Sequence, residues 1–151
     1  MSGPVSRTTV EGFYVAYDVN DAERIAAYLD DDVEWIVFGP PALMQVCGQW
    51  RGKAAVFDRF SRLLPQLLEF KRFERHFMLV DGDESAACGR IIGKHRASGR
   101  IISHRSAHFI RYRDQKVIAF RAVTDSLDAA EQYIGHRIDR GTESEADMLV
   151  L

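Results

Sequence analysis

The sequence is poor in cysteine and proline and carries little net charge. Its two cysteines, Cys47 and Cys88, are too few for a disulfide framework. Neither has a CxxC partner or a histidine at ligand spacing, which argues against structural zinc. Two reduced thiols in a cytoplasmic protein fit that count. The opening MSGPVSRTTVEG has no apolar stretch ahead of a small-residue cleavage site, so no secretory signal is read there. No run approaches the ~20 apolar residues of a membrane span. A net charge of −2 gives no global reason to expect nucleic acid or a membrane surface. Gly48 and Gly52 flank Gln49-Trp50-Arg51 without the Gly-Lys-Ser/Thr ending of a phosphate loop, and no nucleophile elbow is visible.

What remains is ordinary globular material. The chain has 151 residues, 46% hydrophobic and 28% charged, enough for one buried core. Val10, Phe13, Tyr14 and Tyr17 keep helical spacing over 8–17. Asp21 suits the N-cap of a second helix that buries Ile25, Ala26 and Leu29, with Asp30-Asp31-Asp32 in the turn after it. Residues 33–38 are β-branched and aromatic and read as a strand, stopped by Gly39-Pro40-Pro41 and followed by a loop through Gly48 and Gly52. A third helix spans 53–68, with Pro65 kinking it or ending it early. Four β-rich runs follow at 70–80, 85–97, 100–113 and 116–124, joined by short turns that suit an antiparallel meander. A last helix over 126–134 offers Leu127, Ala130 and Tyr133 for burial. The expected fold class is α+β: a cone-shaped, curved antiparallel sheet covered by N-terminal helices, whose interior is the default ligand site. Residues 1–138 form one domain, and 139–151 an acidic, then apolar, C-terminal tail.

This order, with DVNDAERIAAYLDDDVEW, CGQWRGKAAVFDRF and HFIRYRDQKVIAFRAVTD, resembles the nuclear transport factor 2-like superfamily. That group includes ketosteroid isomerase, SnoaL-type cyclases and scytalone dehydratase. The resemblance implies a cystatin-like α+β barrel, a small hydrophobic ligand, and a homodimer through the outer sheet face. It implies function less specifically, because the scaffold hosts enzymes, binders and inert partners. The ketosteroid isomerase positions fall at Phe13, Ile36 and His108, so none of its catalytic residues is kept. The SnoaL-type histidine matches His108, while its aspartate falls at Ala122. Scytalone dehydratase matches better: Tyr17-Asp18, His76 in ERHFMLV, a second histidine near His95, and Ser106 with His108. This implies loss of water beside a carbonyl, with Asp18 and His76 as acid–base pair and Tyr17 and His108 as hydrogen-bond donors.

Read without the resemblance, the residues leave choices open. His104, Ser106, His108, Ile110 and Tyr112 alternate onto one face of one strand, and Arg105, Phe109 and Arg111 onto the other. Imidazoles titrate near neutrality, so histidines around a pocket supply an acid and a base, unless they are satisfied core residues. His104 and His108 lie about 13 Å apart on a strand, too far to share a metal, and no metal or cofactor is expected. Glu34 faces the pocket in one register and Trp35 in the other. Phe13, Tyr14, Ile36, Phe38, Phe60, His95, Ser106, Phe120 and Thr124 complete the expected lining. Between Glu11 and Glu34 there are eight acids and one base; between Gly89 and Arg113, seven bases and no acid. The basic strands suit an anionic ligand, an acidic face of a second subunit, or plain solvation. The expectation drawn is a lyase, as a dehydratase, or an isomerase, acting by acid–base chemistry on a hydrophobic oxygenated compound. The alternative is a non-catalytic binder or dimeric scaffold of the same fold.

Overall fold

A computed structural model describes residues 3–139. The tail expected beyond Asp139 lies outside the described residues. Helix α1 runs Arg7–Asp18, capped by Ser6, whose hydroxyl accepts from the Thr9 amide at 3.1 Å. Its three-and-four spacing buries Val10, Phe13, Tyr14, Ala16 and Tyr17 on one face. Helix α2, Ala22–Ala26, starts at Asp21, whose carboxylate accepts from the Arg24 amide at 3.1 Å.

Strand β1, Leu29–Val37, takes in the three aspartates that the sequence places in a turn. Asp31 and Asp32 are exposed, and Asp30 accepts from Arg113 at 2.9 Å, so none of the three enters the core. β2, Gly48–Arg51, pairs antiparallel with β1 where a loop was expected. Four residues between glycines are too few to show a strand's alternation.

The third helix is a composite. α3, Lys53–Asp58, passes into a π-helical turn over Arg59–Leu63 and then α4, Leu64–Leu67. Pro65 has no N–H and its ring crowds the carbonyl four residues back, which a widened turn accommodates. Strands β3 (Leu68–Asp81), β4 (Glu84–His95), β5 (Ile101–Arg113) and β6 (Lys116–Thr124) then form the meander. Asp114 and Gln115 both take positive φ, the turn that matches strand twist in a two-residue hairpin. α5, Ser126–Ile134, buries Ala129, Ala130 and Tyr133, while Leu127 is exposed.

Among the described residues the strands make one curved six-stranded sheet in the order β2-β1-β6-β5-β4-β3. The architecture is mixed α+β. Two details differ from expectation. β1 pairs parallel with β6, so the sheet is not wholly antiparallel. Its ends, β2 and β3, do not pair with each other, so the sheet is open and no barrel closes. The main core lies between the sheet and α1, β1 and α3 with its π turn. A second cluster, including Met44, Cys47, Leu68 and Tyr133, packs Met44, Cys47 and α5 against β5.

Candidate functional site

β5 sets the site's floor. Ile102, His104, Ser106, His108, Ile110 and Tyr112 are buried, whereas Arg105, Phe109 and Arg111 are exposed. β1 presents Val33 and Trp35 to the same interior, and the Trp35 ring stacks on Phe120 at 3.7 Å. Trp35 is therefore the inward residue. Glu34 points away and is held by Arg121 and Arg51.

β3 is where simple alternation fails. Its pairing with β4 shifts between Leu68 and Phe70 and again between Arg75 and Phe77. Each extra residue resets the alternation. The more buried set becomes Leu68, Lys71, Phe73, Arg75, Met78 and Val80. His76 and Phe77 are thereby both exposed, and Lys71 and Arg75 enter the interior.

An internal cavity of about 60 Å³ lies against this floor. Apolar groups such as Val37, Met44, Leu64 and Ile91 make much of its wall, with the rings of Tyr17, Trp35, Phe120 and Tyr133. Its polar groups are Arg59, Lys71, His104, His108, Ser106, Thr124 and Cys47; no carboxylate is among the lining residues described. Arg59, delivered by the π turn, is buried. It donates to the Val46 carbonyl at 2.7 Å and lies over the Trp50 ring at 4.2 Å. Its Nε finds no acceptor among the described residues, and neither does the Trp35 indole N–H. Desolvation holds the Arg59 guanidinium down to about 10. Lys71 is partly exposed as a residue, but its ammonium lies 3.7 Å above the centre of the Tyr17 ring. Desolvation, with Arg59 beside it, pulls Lys71 down to about 7 against the opposing pull of Asp18.

The two buried imidazoles are held differently. His104 Nδ1 lies 2.7 Å from Thr124 Oγ1, which in turn donates to the Arg105 carbonyl at 2.9 Å. With its one proton given to that carbonyl, the hydroxyl accepts from Nδ1, leaving Nε2 of a neutral imidazole unprotonated. His108 Nδ1 lies 3.2 Å from the Tyr14 hydroxyl, and Phe73 and Phe120 pack on the ring. Burial, then Lys71 and Arg75, pushes His108 well below its usual range. Burial also lowers His104 and raises the hydroxyls of Tyr14 and Tyr17, which stay protonated.

Several expected site residues are elsewhere. His76 lies in a groove on the outer sheet face with Cys88, Arg90 and Asp125, and cannot meet the buried His108. Asp18 is held by Arg75 through two bonds of 2.8 and 2.7 Å, so its carboxylate orients no histidine. An Asp18–His76 pair therefore does not form. Phe38 is exposed; Ile36 alternates away from Trp35 with Glu34. His95 sits at a turn, bonded to Ser98 at 2.9 Å. Phe13, Tyr14 and Phe60 are buried behind the wall. Tyr17, Ser106, His108, Phe120 and Thr124 line the cavity. Sequence reasoning missed Arg59 and Lys71. Arg59 carries one faint signal: it lies three residues after Val56, on the helix's apolar stripe. Lys71 carries none, because the strand irregularity that turns it inward is invisible in the pattern.

A family model described as SnoaL-like domain matches residues 10–120. No curated protein matches this chain. Among solved structures, an NTF2-like protein from Burkholderia thailandensis is 25% identical, with a TM-score of 0.72, covering 83% of this chain and 94% of that one. TerC, co-crystallised with polyporic acid, is 20% identical with a TM-score of 0.73, over 84% and 96%. A protein from Catenulispora acidiphila with a ketosteroid isomerase-like fold, in complex with trimethylamine, is 11% identical with a TM-score of 0.70, over 87% and 95%.

Proposed function

This chain belongs to the SnoaL-like domain family, and on that premise we propose that its cavity binds an acidic, oxygenated, largely apolar small molecule and moves a proton on it, as an isomerase or a lyase does. One observation carries the reading. Arg59 and Lys71 meet in an aromatic cavity without a lining carboxylate, and Arg59 and Trp35 each hold a buried N–H with no protein acceptor. A ligand oxygen that carries negative charge, or develops it as an enolate, answers those donors. TerC on the same fold was co-crystallised with a compound that is an acid by name.

The imidazoles divide the proton work. His104 offers an unprotonated Nε2 and is the base. With Tyr14 donating to Nδ1, His108 carries its proton on Nε2 and donates to the ligand's carbonyl oxygen. The proton His104 removes from the carbon beside that carbonyl leaves an enolate opposite Arg59 and Lys71. Loss of a hydroxide from the next carbon gives dehydration, and return of the proton at a different carbon gives isomerisation. The molecule acts as a homodimer, pairing through the outer sheet face, where Phe77, Leu79, Phe109 and Val123 are exposed.

The test is calorimetric titration of the full chain with an aryl carboxylic acid and with its methyl ester. The acid binds at least ~10-fold tighter, since it alone places charge beside the cations; equal affinities overturn the reading. Deuterium exchange beside a ligand carbonyl, followed by NMR, is lost in His104→Asn with binding retained. The engagement of Asp18 by Arg75 favours a second reading, a binder without turnover, which predicts acid binding and no exchange in the native chain.

A further inference from the structure

We propose that Lys71 is a covalent site: its amine condenses with the carbonyl of a small 2-oxo acid to form an imine, while Arg59 holds the carboxylate. This rests on the acid-binding reading above and adds a bond to it. The geometry has three parts. The Lys71 nitrogen sits over the Tyr17 ring at 3.7 Å and 5.5 Å from the centre of Phe60, and Arg59 stands 5.7 Å from that same centre. Two cations thus flank one ring, a suitable span for a carboxylate beside a carbonyl. Next, no carboxylate among the described residues comes within ion-pair distance of Lys71; Asp18, the nearby candidate, is committed to Arg75. Last, Leu64, Leu68 and Lys71 line both the cavity and a surface cleft of about 350 Å³ edged by Asp18, Pro65 and Arg96. Lys71 therefore stands where a molecule passes from solvent to the interior.

Such an amine is activated by a desolvated setting and by a neighbouring cation. The groups facing it are Arg59 from the π turn, Tyr17 and Asp18 from α1, and His108 from β5. Burial and Arg59 leave a substantial neutral fraction at neutral pH, whereas an exposed lysine is almost wholly charged. In the reaction the nitrogen lone pair forms a C–N bond and the carbonyl π pair moves to oxygen. Both amine protons leave with that oxygen as water, giving C=N without oxidation or reduction. The imine, once protonated, draws electrons from the adjacent carbon, so removal of its proton becomes easier than in the free ketone.

The chain has four lysines, Lys53, Lys71, Lys94 and Lys116, which supply internal controls. The full chain is incubated at neutral pH with pyruvate and sodium cyanoborohydride, which delivers hydride to C=N and fixes it as a secondary amine. Intact mass and peptide mapping then locate the adduct. Lys71 is labelled at least ~10-fold faster than the other three, and acetate, which has no ketone, protects it by competing for Arg59. Equal labelling of all four, or labelling of Lys71 that acetate leaves unchanged, overturns the proposal. Lys71→Arg, which keeps the charge, retains the preference for acid over ester and loses the fast adduct. Acid preference without a fast Lys71 adduct sinks this inference and spares the acid-binding reading. A fast adduct without acid preference does the reverse.

Discussion

At the residue scale the clearest consequence is for pH. His108 is buried, with Lys71 and Arg75 nearby and no acid to neutralise it, so its folded-state pKa lies below that of the unfolded chain. The sign follows from proton counting. Below about pH 6.5 the unfolded chain takes up a proton at this residue that the folded chain refuses, so stability falls as pH drops, by up to about 1.4 kcal/mol per unit. His104 acts in the same direction. Urea midpoints measured between about pH 7 and pH 5 decline in the native chain and decline less in His108→Gln. Trp35 gives a second expectation. Its ring fills the interior against Phe120 and Phe60, yet its indole N–H is unsatisfied. Trp35→Ala costs about 3–5 kcal/mol, whereas Trp35→Phe, which also removes the orphan donor, costs less than about 1.5 kcal/mol. Denaturant titration of both variants reads the difference.

At the element scale, the irregular β3 strand decides the site. Regular alternation counted back from Val80 and Met78 puts His76 inside, and counted forward from Leu68 puts Phe70 inside. The structure has both exposed, because each pairing shift adds a residue. The second shift depends on Gly89, the partner of Arg75 on β4. A Cβ there would overlap the Glu74 carbonyl and fall 2.9 Å from Arg75 Cα, both backbone atoms that a side-chain rotation cannot move. Gly89→Ala therefore costs about 1–3 kcal/mol and disturbs the Arg75–Asp18 pair. A lowered urea midpoint together with weakened acid binding checks this. The composite helix works similarly: the π turn ahead of Pro65 spans Arg59 and Phe60, both buried. Most elements were legible from periodicity and turn residues, which are local. The bulges, the four-residue β2 and the parallel β1–β6 pairing were not, because each is defined by a partner strand distant in sequence.

At the scale of the whole molecule, the uneven charge of the sequence closes largely on itself. Acids of the N-terminal segment meet arginines of the meander: Asp18 with Arg75, Asp30 and Asp32 with Arg113, Glu34 with Arg121. The basic strands so need no acidic partner to be explained, and exposed pairs of this kind add little stability each. What the outer sheet face leaves over is apolar. Phe77, Leu79, Phe109 and Val123 are each about half exposed, near a groove of about 380 Å³ lined by Leu79, Ala86, Phe109 and Ala119. Light scattering on the native chain gives twice the chain mass of 17.2 kDa, and Phe109→Glu gives the single mass. A monomeric native chain contradicts the proposed dimer without touching the cavity chemistry.

The sequence alone determined the helical N-terminal part, the four-strand meander, the face of β5 that carries the histidines, and the α+β class. Hydrophobic period and turn chemistry are written into consecutive residues. The tertiary structure decided which charged side chains entered the core. Lys71 and Arg59 became cavity groups through a strand bulge and a widened helical turn, and Asp18 left the chemistry through its pair with Arg75. A buried cation is tolerated only where its geometry is fixed by neighbours distant in the chain, and those neighbours exist only once the fold is made.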